Sequence, residues 1–318
     1  MGGCILFVHE LDLRTVYVNC LLKLGEEYPN LVVLDADLAS STGTGLFAKR
    51  FPERFFDCGI QEADMAGVGA GLSVGGMLPI IHSFAAFTGR RMTDQVFLSC
   101  AYARANVRIV GADPGICAAK NGGTHMALED VGIMRTIPQM IILDPSDAVS
   151  LEQLLRQTLE TPGVYYLRLN RKAKWKIYAD DAVIRVGKAN TVIDGSDVTI
   201  IASGTICVPE AILAAEALAK KGVSARVVDM ATIKPLDAAA VRKAAKETRA
   251  IITVENHNII NGLGSAVAEV LAESGTVPFA RIGVPDVFGQ VGAVSELQQF
   301  YGITAEAIEQ KALLLLKR

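Results

Sequence analysis

The chain has 318 residues, enough for about two domains of ~150 residues each. A hydrophobic content of 51% and a charged content of 20% are typical of a globular protein with large buried cores, and the formal net charge of −3 provides no basic field for nucleic acid. The N-terminus, MGGCILFVHELDLR, lacks a basic segment followed by a full apolar stretch, so no signal peptide is expected.

Short apolar runs recur through the first half of the chain, each flanked by a segment with helical spacing. Runs of this kind are typical of strands buried on both faces, as in a parallel sheet that helices cover. We therefore predict strands at residues 31–34, 78–81, 107–110 and 140–143. Apolar residues at helical intervals also predict a helix over residues 93–105.

The longest stretch without formal charge runs from Met65 to Gly89 and is long enough to raise the question of a membrane span. It is rich in glycine, and Pro79 and His82 interrupt it. A helix, a turn and a buried strand account for this composition better than a membrane helix does. No membrane association is therefore expected.

The pattern changes after Arg168. Residues 170–176 are basic and aperiodic, and residues 178–188 resemble a connecting segment. A second alternation then predicts strands at 198–204, 225–229 and 251–254, and helices at 207–221 and 237–247. We predict an α/β protein with two doubly wound domains, at residues 1–170 and 190–318, joined by a linker at 171–189.

Cysteine and histidine usage bears on location and on metals. The six cysteines, at positions 4, 20, 58, 100, 117 and 207, include no C-x-x-C pair, and most lie in apolar surroundings that suit a reduced thiol. This usage favours the reducing cytoplasm. The four histidines are far apart and show no metal-ligand spacing, so no metal ligands are expected from this chain.

Polar segments mark where a ligand is expected. Residues 35–42, 82–87 and 121–125 each follow a predicted strand, and residues 59–65 lie between the first two of these segments. Open α/β sheets bind ligands in the crevice outside the carboxyl ends of their strands. The first domain is therefore expected to hold the functional site.

Four motifs in these segments and in the second domain carry a resemblance. RFFDCGIQEADM, SFAAF, GGTHMALEDVGIMRTIPQM and VENHNIINGLGSAVAE occur in this order along the chain. They resemble the C-terminal half of the transketolase family, and the resemblance covers nearly the whole chain. It implies a pyrimidine-binding domain followed by a transketolase C-terminal domain. It also implies an enzyme that uses thiamine diphosphate to transfer a two-carbon ketol unit from a ketose phosphate to an aldose acceptor.

Glu62 begins an apolar run rich in Gly and Ala, where an unpaired carboxylate is costly. Considered alone, it can be a glutamate at a helix N-terminus that the macrodipole stabilises. The resemblance instead implies that Glu62 hydrogen-bonds the aminopyrimidine ring of thiamine diphosphate. It also places Ile60, Phe84 and Phe87 in the cofactor pocket, although two Phe at this spacing are also common in a plain core.

The resemblance implies a catalytic role for His125, whose imidazole can hydrogen-bond substrate hydroxyls and move protons near neutral pH. A histidine after two glycines can also be an ordinary loop residue. Arg14, Ser41 and Arg168 correspond to family residues that hold the phosphate end of the sugar, as arginine forks and hydroxyl donors can. Without the resemblance they are a helix arginine, a turn cap and a strand-end arginine.

The chain departs from the family at several positions. Arg90 stands where some transketolases have a third aromatic residue, and Ala112 stands where the family has a further histidine. Lys120 and Asn121 precede the G-G-T-H sequence, where many relatives carry acidic residues. The resemblance implies that Asn121 replaces an aspartate with which the family contacts the donor's hydroxyl. We expect it to bind substrate and to change donor preference, the alternative being a solvated loop without function.

The G-D-G motif through which these enzymes bind the cofactor diphosphate and a divalent metal does not occur in this sequence. Another polypeptide must therefore supply the site for the diphosphate and for Mg²⁺ or Ca²⁺. The resemblance implies the C-terminal subunit of a split transketolase, active only with an N-terminal subunit, in an α2β2 heterotetramer. Such an enzyme is expected in the cytoplasm, in pentose phosphate metabolism.

Three other functions stay open at this point. The β subunit of a 2-oxoacid dehydrogenase E1 shares this architecture and length, but the G-G-T-H and I-P-Q-M sequences argue against it. A deoxyxylulose-phosphate synthase is related but is usually one chain. A non-catalytic paralogue would not need Glu62, His125 and both Phe. The sequence also leaves open the sugars and whether the substrate anion is phosphate, sulfonate or carboxylate.

Overall fold

The computed structural model describes residues 7–275 and 277–317. These residues form two α/β domains around two sheets of mostly parallel strands, and helices pack on both faces of each sheet. This is the fold class that the alternation of apolar runs and helical segments predicts.

The first sheet has seven strands. They are β2 (Leu31–Asp35), β3 (Phe55–Asp57), β4 (Leu78–Phe84), β5 (Val107–Ala112), β6 (Ile141–Leu143), β7 (Val164–Leu169) and β12 (Thr232–Lys234). Their order is β12-β6-β7-β5-β4-β2-β3, and every neighbouring pair is parallel except β12 and β6. The four strands predicted in this domain are all present.

The second sheet has five strands. They are β9 (Asn190–Ile193), β10 (Val198–Ala202), β11 (Ala225–Asp229), β13 (Ile251–Asn258) and β14 (Phe279–Val284). Their order is β14-β13-β10-β11-β9, with only β9 antiparallel to its neighbour. Strand β13 extends four residues beyond its predicted end and carries Glu255, Asn256 and His257 towards the first domain.

Thirteen α-helices lie within the described residues. They are α1 (Leu13–Glu27), α2 (Ala39–Thr42), α3 (Gly45–Arg50), α4 (Glu62–Val74), α5 (Ala85–Arg90), α6 (Thr93–Gln95), α7 (Asp130–Thr136), α8 (Ala148–Glu160), α9 (Gly204–Ala219), α10 (Ala238–Glu247), α11 (Leu263–Ser274), α12 (Val294–Tyr301) and α13 (Ala305–Leu316). Short 3₁₀ helices cover Pro52–Arg54 and Gly115–Asn121. The helix predicted over residues 93–105 is α6 followed by a π-helical segment, Val96–Tyr102.

Strand β2 shows why continuous apolar runs form the sheet. Leu31 and Val33 pack in one apolar cluster with α1 and α8, whereas Val32 and Leu34 pack in another with α4. Because side chains alternate across a strand, such a run buries both faces. The uncharged stretch 65–89 contains most of α4, a turn, β4 and most of α5. No helix in the described part of the chain is long and apolar enough to cross a membrane.

Two pairings cross the boundaries predicted from the sequence. Strand β12 leaves the second domain and pairs antiparallel with β6, with Thr232 opposite Leu143. Within residues 171–189, β8 (Trp175–Lys176) pairs with β1 (Phe7–Val8) in a two-stranded ribbon. The two domains therefore share a sheet, and the segment predicted as a linker contains ordered structure.

Candidate active site

Glu62 lies at the first turn of α4, directly after the turn that contains Gly59, and its side chain is only 3% exposed. Its partner is Arg91, whose Nη1 donates to Oε1 over 2.8 Å. The Ser83 hydroxyl donates to the same oxygen over 3.4 Å. The helix N-terminus also favours negative charge at this point. The buried carboxylate is thus paired by an arginine that no sequence motif indicated.

Phe84, Phe87 and His125 form one aromatic cluster. Strand β4 ends at Phe84 and α5 begins at the next residue, so Phe84 and Phe87 lie close together, with ring centroids 6.0 Å apart. The His125 ring lies 6.2 Å from Phe84 and 5.2 Å from Phe87. All three pairs are close to edge-to-face, the arrangement that aromatic quadrupoles favour.

Steric contact with the second domain explains the two glycines of the G-G-T-H turn. A Cβ on Gly122, whose φ is +77°, would lie 2.8 Å from the Val291 side chain, and one on Gly123 would lie 2.5 Å from the Gly289 carbonyl oxygen. The second domain therefore packs against the turn too closely for any larger residue. His125 follows this turn, with its Nδ1 2.9 Å from the Thr124 hydroxyl.

Arg14, Ser41 and Arg171 meet beside Phe84. The Arg171 guanidinium lies 5.1 Å from the Phe84 ring centroid, and its Nη1 donates to the Ser41 carbonyl over 2.6 Å. Arg14 reaches the same carbonyl at 3.5 Å and is 41% exposed. Asp113 accepts from Arg171 Nε over 3.0 Å and partly offsets its charge. Arg171 was missed because basic residues fill the segment after β7.

Arg168 is not available to a substrate anion, contrary to the expectation from sequence. Its side chain is 1% exposed, and it forms ion pairs with Asp130 at 2.9 Å and Asp144 at 3.0 Å. Its Nη2 also donates to the Asn256 carbonyl over 2.9 Å. Because Arg168 lies within β7, it is held between the two domains, whereas Arg171 lies beyond the strand end and reaches the site.

The remaining predicted residues lie at the edges of the site. Ile60 is 66% exposed, two residues before Glu62. Asn121 and Lys120 are exposed at the end of the 3₁₀ helix, a few residues before His125. Ala112, where the family has a histidine, is 1% exposed at the end of β5. A cavity of about 780 Å³ opens between the domains beside His125, lined by Arg90, Thr124, Glu129 and Asp286–Gly289 among others.

The space between Glu62 and Phe87 holds a planar group with nitrogen donors, the Arg91 guanidinium. The planar Arg91 guanidinium lies 3.9 Å from the Phe87 ring centroid while it donates to Glu62, so a planar hydrogen-bonding group is accommodated between carboxylate and aromatic ring. The aminopyrimidine of thiamine diphosphate has the same features. In the described part of the chain, no three His, Cys, Asp or Glu side chains come together as metal ligands.

The fold is that of the transketolases, a class of thiamine-diphosphate enzymes, and the chain belongs to the transketolase family. Residues 9–174 match the transketolase pyrimidine binding domain, and residues 187–308 match the transketolase C-terminal domain. The resemblance inferred from the four sequence motifs is thereby confirmed.

Two of the relatives are named as subunits of transketolases. The chain is 46% identical to the 6-deoxy-6-sulfo-D-fructose transketolase subunit SqwH of Clostridium sp. (strain MSTE9), covering 94% of this chain and 93% of that one. It is 39% identical to an apulose-4-phosphate transketolase subunit of Phocaeicola vulgatus, with 96% and 97% covered. A solved split gene transketolase, described as an inactive beta4 tetramer, superposes with a TM-score of 0.88 at 39% identity, covering 96% of this chain and 98% of that one.

Proposed function

We propose that this chain is the C-terminal subunit of a two-chain transketolase that moves a two-carbon ketol unit from an anionic ketose to an aldose acceptor. One observation carries the proposal. Contacts run from Glu62 through Arg91, Phe87, His125 and Phe84 to Arg171. A group for the cofactor ring and a group for an anion therefore lie at opposite ends of one continuous site, with an imidazole between them.

The cofactor end would be held by Glu62, Phe84, Phe87 and Ile60. Bound thiamine diphosphate would supply a carbon nucleophile that adds to the ketose carbonyl. Glu62 is buried at this end of the site, where its carboxyl group would share a proton with a ring nitrogen of the cofactor. Mg²⁺ or Ca²⁺ and the diphosphate would be bound mainly by the partner subunit.

The substrate end would be held by Arg14, Ser41 and Arg171, with Asn121 contacting a donor hydroxyl. His125 lies between the two ends, so its imidazole can accept or donate a proton at a substrate hydroxyl. Arg171 takes the role expected of Arg168. Two positive charges, one offset by Asp113, suit either a phosphate or a sulfonate.

The partner proposal rests on an exposed apolar surface. Along α4, a Cβ on Gly67 or Gly71 would meet nothing within 4 Å, and Val74 is 82% exposed. Beside α4, the π-helical segment exposes Leu98 to 52% and Tyr102 to 81%. Contiguous apolar surface of this kind marks protein interfaces. We propose that it binds an N-terminal subunit in an α2β2 assembly.

We also propose a cytoplasmic location and a role in sugar-phosphate metabolism of the pentose phosphate type. The five cysteines within the described residues are free thiols, which is the state that a reducing compartment maintains. A transketolase of this kind would meet both its partner subunit and phosphorylated sugars there.

Reconstitution tests the proposal. The chain, its N-terminal partner, thiamine diphosphate and Mg²⁺ are mixed and assayed with a panel of ketose phosphates and ketose sulfonates. Ketol transfer is expected only when all four components are present. Turnover by this chain without its partner would contradict the assignment, and the ranking within the panel identifies the substrate anion.

A further inference from the structure

Arg90, one turn after Phe87 on α5, contacts the segment that carries His125. Its Nη1 donates to the Thr124 carbonyl over 3.0 Å, and its Nη2 donates to the Met126 carbonyl over 2.6 Å. These carbonyls belong to the two residues on either side of His125 in the chain. The same guanidinium pairs through Nε with Glu129.

Glu129 extends this hold along the segment. Its second carboxylate oxygen accepts from the Leu128 backbone N–H over 2.9 Å, so Arg90 and Glu129 together contact the chain at Thr124, Met126 and Leu128. A planar guanidinium with fixed donors defines the orientation of several acceptors at once, which a flexible ammonium group does not. The contacts therefore restrict the backbone of residues 124–128.

The arrangement differs from an ordinary surface ion pair. Arg156 and Glu27 form a two-bond pair whose side chains are 41% and 46% exposed, similar to the 39% and 40% of Arg90 and Glu129. The Arg156 guanidinium donates to the two carboxylate oxygens of Glu27, whereas Arg90 also donates to two backbone carbonyls. Arg156 therefore provides a matched control for the loss of an exposed arginine.

We propose that Arg90 is a positioning residue for His125. Helix α5 contacts the His125 segment twice, through the near edge-to-face pair of Phe87 with the imidazole and through the Arg90 guanidinium on the backbone at both sides of it. The inference rests on the proposed function for the role of His125 but adds a residue to it.

The test compares Arg90→Met, Arg90→Lys and the control Arg156→Met in the reconstituted complex. In Arg90→Met, hydrogen exchange of the amides in residues 124–128 is expected to rise about tenfold or more, since charged hydrogen bonds hold this backbone. The value of kcat is expected to fall about 10- to 100-fold with a smaller change in KM. Arg90→Lys is expected to be intermediate in both, and Arg156→Met to match the wild-type protein.

A further measurement separates the two halves of the site. Under the proposed function, exchange of the cofactor C2 proton depends on Glu62. It should be unchanged in Arg90→Met, because Arg90 donates to residues 124, 126 and 129 and not to Glu62. Normal kcat and normal amide exchange in a folded Arg90→Met complex would overturn the inference alone. An inactive wild-type complex would overturn the proposed function, whichever way the exchange data fall. If Arg90→Met fails to fold, Arg90→Lys with wild-type kcat and exchange overturns the inference.

Discussion

The Arg91 guanidinium lies between the Glu62 carboxylate and the Phe87 ring. It donates to Glu62 Oε1 over 2.8 Å and lies 3.9 Å from the Phe87 ring centroid. A pyrimidine that hydrogen-bonds Glu62 and contacts Phe87 must therefore compete with Arg91 for both. Because the Arg91 side chain is 46% exposed, it has a path into solvent when a ligand displaces it.

Glu62→Gln should fold normally and lose ketol transfer. An amide cannot exchange a proton with a ring nitrogen, and general acid–base contributions are typically about 10²- to 10⁴-fold. We expect kcat at saturating cofactor to fall by about 100-fold or more, with exchange of the cofactor C2 proton falling in parallel. Cofactor affinity should change less. Near-normal turnover at saturating cofactor would show that Glu62 is only a helix-end carboxylate.

Arg91→Met should make the protein more dependent on cofactor for stability. Removing the guanidinium leaves the buried Glu62 carboxylate without its charged partner, at a cost of about 1–2 kcal/mol once the exposure of Arg91 is considered. A bound pyrimidine would again satisfy the carboxylate. The rise in Tm on adding thiamine diphosphate and Mg²⁺ to the complex should therefore exceed that of the wild-type protein.

The control for this variant is Arg54→Met. Arg54 also lies over a phenylalanine, 4.0 Å from the Phe51 ring centroid, but it contacts backbone carbonyls of residues 25, 28 and 29 on another face of the domain. The Arg54→Met variant should be less stable than the wild-type protein, but its rise in Tm on adding thiamine diphosphate and Mg²⁺ should equal that of the wild-type protein. An equal response of both variants would show that Arg91 does not compete with the cofactor.

Local sequence patterns predicted the strands and helices that carry the site, because apolar periodicity depends on neighbouring residues. The strand at residues 78–81 and a helix within the uncharged stretch 65–89 depend on apolar periodicity, and both were predicted. The contacts that bring Phe84, Phe87 and His125 into one cluster depend on the packing of β4, α5 and the G-G-T-H turn and are seen only in the structure. The roles of those residues toward cofactor and substrate stay predictions.

The contacts of the arginines at the site could not be predicted from local sequence patterns. Long side chains carry the guanidinium groups of Arg90, Arg91 and Arg171 to their partners. The periodicity of apolar residues does not predict the position of such a group. Arg168 was assigned to the substrate anion from its correspondence to a family residue, and the run VYYLRLNRK does not show where β7 ends. Arg168 lies within β7 and is buried between the domains, whereas Arg171 lies two residues beyond the strand and contacts Ser41. The insertion of β12 beside β6 is likewise a pairing between residues some 90 positions apart.

Gly71→Ala should separate stability from assembly. A methyl group at this exposed helical position meets nothing within 4 Å, so the isolated chain should gain about 0.5–1 kcal/mol in free energy of unfolding. If α4 binds the partner closely, the same methyl should weaken subunit association. Urea unfolding of the single chain and sedimentation of the mixture measure the two effects. A stabilised chain with unchanged association would place the interface elsewhere.

Glu255 should make stability depend on pH. Burial raises the pKa of this carboxyl to about 7 from the usual 4.5, although the Gly264 and Leu263 N–H groups at the start of α11 counteract the shift. The folded state therefore binds a proton that the unfolded state has released between these values. Protonation of Glu255 therefore contributes to the free energy of unfolding. This contribution is fully present below pH about 4.5, decreases as pH rises towards about 7, and is absent above that.

Glu255→Gln isolates this effect. His257, whose Nδ1 is 3.8 Å from Glu255, has a pKa lowered by burial and acts in the opposite sense, so the wild-type profile alone mixes the two. Between pH 5 and pH 8 the wild-type protein should lose up to roughly 3 kcal/mol in free energy of unfolding relative to the variant. Parallel profiles would show that Glu255 titrates near its usual pKa.

Asn121→Asp should change donor preference without changing the cofactor end. Asn121 is exposed at the end of the 3₁₀ helix that precedes the G-G-T-H turn, whereas Glu62 and its partners lie on α4 and beside α5. An aspartate accepts strongly from a donor hydroxyl, but an amide accepts more weakly and can also donate. A charged hydrogen bond is worth ~1.5–3 kcal/mol, or roughly 10- to 150-fold in discrimination.

We therefore expect the kcat/KM values of the ketose panel to change their ranking in Asn121→Asp, by about tenfold or more between the most and least affected donors. Exchange of the cofactor C2 proton should stay at the wild-type rate, because the substitution leaves Glu62 and Arg91 untouched. Lys120→Ala is the matched comparison: it removes a neighbouring charge without replacing the amide, so its effect should follow the charge of the donor rather than its hydroxyl stereochemistry. A uniform change of all donors in Asn121→Asp, or a loss of C2 exchange, would mean that Asn121 does not determine specificity.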